Sequence, residues 1–208
     1  MKAVIFDLDG VIVTTDDCHY RAWKQMAGEE GIYFDRKINE RLRGVSRMES
    51  LEIILERATR EYSLQEKADL AARKNRYYVS FIQHLTPNDI LNGVMTNLED
   101  LRTRGIKIAV GSSSKNTPLI LKRIGLDGYF DAVSDGNNIS KSKPDPEVFL
   151  KAAQMLDISP TDCLVVEDAD AGIIAAKRAK MKTLAVGTAT GGDYCAPDLS
   201  NMYISALF

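Results

Sequence analysis

Four short apolar runs, each cut off by an acidic residue or a glycine, constrain this chain more than anything else in it. Lys2-Ala3-Val4-Ile5-Phe6 stops at Asp7, Ile106-Lys107-Ile108-Ala109-Val110 at Gly111, Cys163-Leu164-Val165-Val166 at Glu167, and Thr183-Leu184-Ala185-Val186 at Gly187. Such runs are too short for helices and too uniformly apolar for strands with one wet face, so they read as strands buried on both sides. Helical signals lie between the later ones. Residues 94–104 carry Leu98 and Leu101 on one face before Gly105, and residues 117–124 end at Gly125. Residues 146–156 open with Asp145 as N-cap and Pro146 at the first helical position, and residues 169–179 follow the pair Glu167-Asp168. Strands alternating with helices predict an α/β fold: a doubly wound, Rossmann-like parallel sheet whose functional groups gather at the carboxyl ends of the strands.

Between residues 15 and 85 the pattern becomes helix after helix. Leu51, Ile54, Leu55 and Ala58 form a helical stripe, and Ser63-Leu64-Gln65-Glu66 has the form of a capping box. The expectation is a helical insertion over residues 15–85, seated on a core made of residues 1–14 and 86–208. With 208 residues the chain can bury a substantial core without disulfides or structural metal. Its 27 Lys and Arg against 29 Asp and Glu leave a net charge of −2, which gives no overall pull toward nucleic acid or an anionic membrane. No apolar run approaches the roughly 20 residues that span a bilayer. Cys18, Cys163 and Cys195 have no C-x-x-C spacing, and His19 and His84 are the only histidines, so a zinc cluster is not expected. The expected protein is cytoplasmic, reduced and monomeric.

Asp7 and Asp9 stand two apart at a strand end, which puts both carboxylates on one side, and Gly10 lets the chain turn away. Alone, the pair reads first as a polar strand end making turn hydrogen bonds. An EF-hand calcium loop fails, because Val11, Ile12 and Cys18 fill positions that need a ligand, a glycine and a glutamate. Other strand ends add company. Ser112-Ser113-Ser114-Lys115-Asn116 is a hydroxyl-rich turn after one strand, Lys143 sits in a loop bracketed by Pro144 and Pro146, and Glu167-Asp168 ends a further strand. Carboxylates, a hydroxyl and an ammonium on successive strand ends suit magnesium together with a phosphoryl group.

The order Asp7-Leu8-Asp9-Gly10, Ser112, Lys143, Glu167-Asp168 resembles the four motifs of the haloacid dehalogenase superfamily of aspartate-dependent phosphotransferases, across essentially the whole chain. The insertion is similar to that of one branch, the beta-phosphoglucomutases, through His19-Tyr20-Arg21-Ala22-Trp23, the Arg43-Gly44-Val45-Ser46-Arg47-Met48-Glu49-Ser50 segment and Arg73-Lys74-Asn75. The resemblance implies an isomerase that interconverts β-D-glucose 1-phosphate and glucose 6-phosphate. It would work through an aspartyl-phosphate and β-glucose 1,6-bisphosphate, with Mg²⁺ as cofactor.

Carried over motif by motif, Asp7 is the nucleophile and Asp9 the general acid and base. Asp7, Asp168 and the Asp9 carbonyl hold magnesium, with Glu167 beside or just behind them. Ser112 and Lys143 face the transferring phosphoryl group. Arg47, Ser114, Lys115 and Asn116 grip the second phosphate. The remaining substrate contacts implied are Thr15, His19, Trp23, Arg43, Gly44, Val45, Ser50, Lys74, Asn75 and Ser113. Arg43 stands where the branch has lysine and Ser113 where alanine is common, departures that bear on sugar fit more than on phosphoryl chemistry. A sugar-phosphate phosphatase on the same fold is the alternative, and a silent phosphate-binding protein a third reading.

Overall fold

The computed structural model describes residues 1–42 and 45–208. Six parallel strands form one sheet in the order β3-β2-β1-β4-β5-β6: β1 (Ala3–Phe6), β2 (Lys107–Gly111), β3 (Ala132–Ser134), β4 (Cys163–Glu167), β5 (Lys182–Val186) and β6 (Tyr194–Ala196). The four apolar runs supply the four inner strands. β3 and β6, three residues each at the two edges, carry too little pattern to be read from sequence.

The alternation of strand side chains divides the core in two. Val4, Phe6, Ile108, Val110, Leu164 and Val166 join one cluster, and Ala3, Ile5, Ala109, Cys163 and Val165 the other. Helices α5 (Val94–Thr103) and α6 (Thr117–Arg123) cover the first face through Val94, Leu98, Leu101, Ile120 and Leu121. Helices α7 (Glu147–Leu156) and α8 (Asp170–Arg178) cover the second through Val148, Phe149, Ala152, Ala175 and Ala176. Pro146 occupies the N-cap of α7 and is not its first helical residue. Asp145 still caps, from one position further out, by accepting from the Glu147 N–H at 3.0 Å.

Between β1 and α5 the described residues form four further helices: α1 (Asp16–Glu29), α2 (Arg36–Glu40), α3 (Arg47–Leu55) and α4 (Leu64–Ile82). The Ser63/Glu66 capping box opens α4, and a second box, Ser46/Glu49, opens α3. Ala58 lies beyond the end of α3, so the predicted stripe continues past the helix that carries it. Trp23, Met26, Phe34, Leu51, Ile54 and Leu70 give this layer its own apolar cluster, while Ala22, Tyr78 and Ile82 belong to the core under the sheet. Among the described residues no helix is long and apolar enough to cross a membrane.

The register fixes where the functional groups emerge. Phe6 is level with Val110 on one side and Val166 on the other, so Asp7, Gly111 and Glu167 leave the sheet at the same height. That height is also where strand order reverses about β1, the crevice in which open α/β sheets bind ligands.

Candidate active site

Asp7 continues β1 by one residue, its N–H donating to the Val166 carbonyl at 2.9 Å, and its carboxylate is buried. Lys143 reaches it from the loop between β3 and α7. Its ammonium donates to Asp7 Oδ1 at 2.5 Å and to Glu167 Oε1 at 3.1 Å, with the side chain only 2% exposed. Burial works against that ammonium, but the two facing carboxylates outweigh it and hold its pKa above the ordinary lysine range. Burial, with Asp7 and Asp168 nearby, pushes Glu167 up to about 8 against the pull of Lys143.

Two glycines make room for this crowd. Gly10 has φ of +88°, and a Cβ there would lie 2.1 Å from Asp168 Oδ2; a Cβ on Gly172 would lie 1.5 Å from Glu167 Oε1. No other residue fits either place. Oxygens of Asp7, Glu167 and Asp168 all lie within 4.8 Å of one another. An all-carboxylate donor set this close fits a hard divalent cation such as Mg²⁺.

Asp9 points into a different network. Thr15 donates to it twice at 2.6 Å, from its N–H to Oδ1 and from its hydroxyl to Oδ2, and Tyr78 OH lies 2.8 Å from the same hydroxyl. His19 Nε2 is 3.7 Å from Asp9 Oδ2, and His19 Nδ1 is 2.8 Å from Lys74 Nζ. Burial first, then the Asp16 and Asp7 charges, push Asp9 up to about 7 despite the Thr15 hydrogen bonds. Burial, with Arg47 nearby, drives Lys74 well below its ordinary range, and burial with the Lys74 and Arg47 charges does the same to His19. The Lys74 side chain lies over the rings of Trp23 and Tyr78, at 4.7 and 4.6 Å from their centroids.

After β2, Ser112 is buried, and its hydroxyl accepts from the Ser114 N–H at 3.2 Å, which curls the turn. Ser113 Oγ is buried without a hydrogen-bond partner. The Asn116 side-chain amide crosses to α4 and donates to Asn75 Oδ1 at 3.0 Å.

A cavity of about 840 Å³ lies between the sheet's carboxyl edge and the helical layer. It is lined by Asp7, Asp9, His19, Trp23, Val45, Arg47, Ser50, Lys74, residues 112–116, Lys143, Glu167 and Asp168. Thr15 and Asn75 do not line it; they touch it through Asp9 and Asn116. Arg43 and Gly44 lie outside the described residues. The sequence reading missed Tyr78, Asp16 and residues 140–142, all at or beside the cavity. Tyr78 had a signal, since it stands four residues after Lys74 on the same face of α4. The loop 140–142 had none.

The sequence matches the profile of the haloacid dehalogenase-like hydrolases over residues 1–180. It is 50% identical to the beta-phosphoglucomutase of Bacillus subtilis over 201 residues, covering 96% of this chain and 88% of that protein. It is 30% identical to the phosphorylated carbohydrates phosphatase of Thermotoga maritima over 187 residues, 88% of this chain and 84% of that one. The solved beta-phosphoglucomutase structure from Clostridium difficile superposes with a TM-score of 0.93 at 40% identity, covering all of this chain and 95% of that one.

Proposed function

Since the chain belongs to the haloacid dehalogenase-like hydrolase family, we propose that it is a magnesium-dependent beta-phosphoglucomutase, an isomerase that interconverts β-D-glucose 1-phosphate and glucose 6-phosphate. The observation that carries this reading is a single cavity with two kinds of wall. One is the Asp7, Ser112, Lys143, Glu167 and Asp168 cluster at the sheet edge, and the other includes Arg47 from the helical layer, with Lys115 and Asn116 from the core turn. A phosphatase needs only the first.

Asp7 is the nucleophile. One of its carboxylate oxygens bonds to phosphorus as the sugar oxygen leaves, and Asp9 donates a proton to that oxygen. In the reverse sense Asp9 takes the proton of the attacking sugar hydroxyl as phosphorus moves from Asp7 to that oxygen. A group pushed up to about 7 serves both directions near neutral pH, since neither of its forms is rare. Lys143 and the Ser112 turn face the charge that spreads over the phosphoryl oxygens. Magnesium, held by Asp7, Asp168, the Asp9 carbonyl and Glu167, would neutralise further negative charge there.

Between the two transfers the bound intermediate, β-glucose 1,6-bisphosphate, turns round so that either phosphate can occupy either end. Residues 15–85 act as a cap over residues 1–14 and 86–208, with Arg47 gripping the far phosphate and His19, Trp23, Val45, Ser50 and Lys74 lining the sugar. Closure over a correctly held sugar phosphate keeps water from the aspartyl-phosphate.

The test is an assay of purified protein with β-glucose 1-phosphate, a trace of glucose 1,6-bisphosphate and Mg²⁺, following glucose 6-phosphate and free phosphate together. The bisphosphate should shorten any lag, and glucose 6-phosphate should far exceed phosphate. Phosphate released as fast as substrate disappears would establish the phosphatase reading instead.

A further inference from the structure

Lys143 lies in residues 135–146, a connection between β3 and α7 with neither strand nor helix in it. A long, flexible side chain on such a segment is a poor tool for meeting a reacting phosphoryl group unless the backbone beneath it is fixed. The first turn of α7 supplies the fixing. Glu147 Oε1 accepts from the Ser140 N–H at 3.0 Å, and Oε2 accepts from the Ser140 hydroxyl at 2.8 Å and the Lys141 N–H at 2.7 Å. One carboxylate therefore collects the backbone donors of two consecutive residues, the second of them two positions before Lys143. Their hydrogen bonds hold its pKa below the usual carboxylate range.

The helix behind Glu147 is itself immobilised. Val148, Phe149 and Ala152 are fully buried against the sheet. The Phe149 ring packs so closely on Gly111 that a Cβ there would lie 2.7 Å from it, and Lys143 Nζ stands 4.8 Å from the centroid of the same ring. One turn further along α7, Lys151 donates to the Asn138 carbonyl at 2.5 Å, so α7 grips the loop a second time with the opposite charge. Downstream of Lys143, Arg178 at the end of α8 donates to the Pro144 carbonyl at 2.9 Å.

We propose that Glu147 is a positioning residue for phosphoryl transfer: by clamping the backbone of Ser140 and Lys141 to the sheet-anchored helix α7, it sets the point from which the Lys143 ammonium meets the phosphoryl oxygens. It does not line the main cavity itself and acts through the loop that carries Lys143. The inference rests on the phosphotransferase reading above. In the resting site Asp7 and Glu167 both attract Nζ, which would hold the ammonium in place even on a loose loop. During transfer an Asp7 oxygen is bonded to phosphorus and its charge is lost, so the clamp matters most in the step that does the chemistry.

The experiment compares wild type, Glu147→Ala and Glu147→Gln in three measurements: phosphorylation of Asp7 by acetyl phosphate, kcat and KM for β-glucose 1-phosphate, and the thermal midpoint. Misplacing a charge-stabilising group by about an ångström costs about a hundredfold at most, so Glu147→Ala should lose about 10- to 100-fold in kcat and in the acetyl phosphate reaction alike. KM should stay within about threefold, because the loss is confined to the transition state. Glu147→Gln should fall between the two, since its single oxygen can still accept from Lys141.

Glu147→Ala with both rates within about threefold of wild type would overturn the inference, and so would a KM that rises as far as kcat falls, the mark of a general loss of structure. If Glu147→Ala does not fold, Glu147→Gln carries the same test, and wild-type rates in it overturn the inference. A wild-type enzyme that never becomes phosphorylated on Asp7 would remove the phosphotransferase reading and this inference with it. A phosphorylatable wild type beside an unimpaired Glu147→Ala would remove this inference alone.

Discussion

Asp9 answers to two environments, and its variants should separate them. Its carboxylate is held by Thr15 and lies beside His19, while the main-chain carbonyl at the same position belongs to the magnesium site we propose. Asp9→Asn keeps that carbonyl and the side-chain shape but removes the transferable proton. It should slow both half-reactions by about 10²- to 10⁴-fold with magnesium still bound, as single-turnover rates and magnesium titration would show. Near-normal rates would mean that another group moves the proton. Arg47 makes a complementary case, because it comes from the helical layer, separated in sequence from every core motif, and lines the same cavity. Arg47→Ala should severely impair turnover of sugar phosphates yet leave Asp7 phosphorylation by acetyl phosphate much less affected, since that donor has no far phosphate. Equal losses with both donors would move Arg47 into the chemistry or the structure. These residue types were readable in the sequence because motif spacing carried them. Tyr78 carried only the weaker signal of standing four residues after Lys74 on α4, and its use became plain only where its hydroxyl meets Thr15 across 63 positions of chain.

At the scale of elements, α4 shows how local signals and tertiary demands are combined. Its start is encoded locally: Ser63 accepts from the Glu66 N–H at 3.3 Å, and the Glu66 carboxylate returns to the Ser63 N–H at 2.8 Å. Ser63→Ala should cost about 1 kcal/mol, a fall of about 2–4 °C in midpoint for a chain of this size, while kcat at saturating substrate is unchanged. A drop in kcat would show that the start of α4 communicates with the site. Further along, the helix presents Lys74 to the cavity, and Tyr78 and Ile82 to the core. α7 is the other element with two duties. Its apolar face was legible through Val148, Phe149, Ala152 and Ala153, but the grip of Glu147 and Lys151 on the preceding loop was not, since a charged pair on a helix usually means only a wet face.

Over the whole molecule, the proposed mechanism makes the partition between mutase and phosphatase depend on how the helical layer seats on the sheet, and the Asn75 to Asn116 hydrogen bond spans that junction. Asn75→Ala should raise free phosphate relative to glucose 6-phosphate by about several-fold, because a less well-seated layer admits water to the aspartyl-phosphate. An unchanged product ratio would mean that the junction is held elsewhere. The parallel sheet, its four inner strands, the helical segment between β1 and β2, and the oxygen and nitrogen donors at the strand ends could all be read from the order of residues alone. Each of these is written in short-range periodicity or in residue types at a fixed spacing, and burial of alternate apolar side chains leaves little choice about them. The edge strands β3 and β6, the Thr15–Tyr78 contact with Asp9, and the hydrogen bonds of Glu147 to the loop that carries Lys143 emerge only on folding. Those depend on which polar groups are brought within hydrogen-bond reach once the core has closed, and desolvation then makes each pairing obligatory although no local pattern announces it.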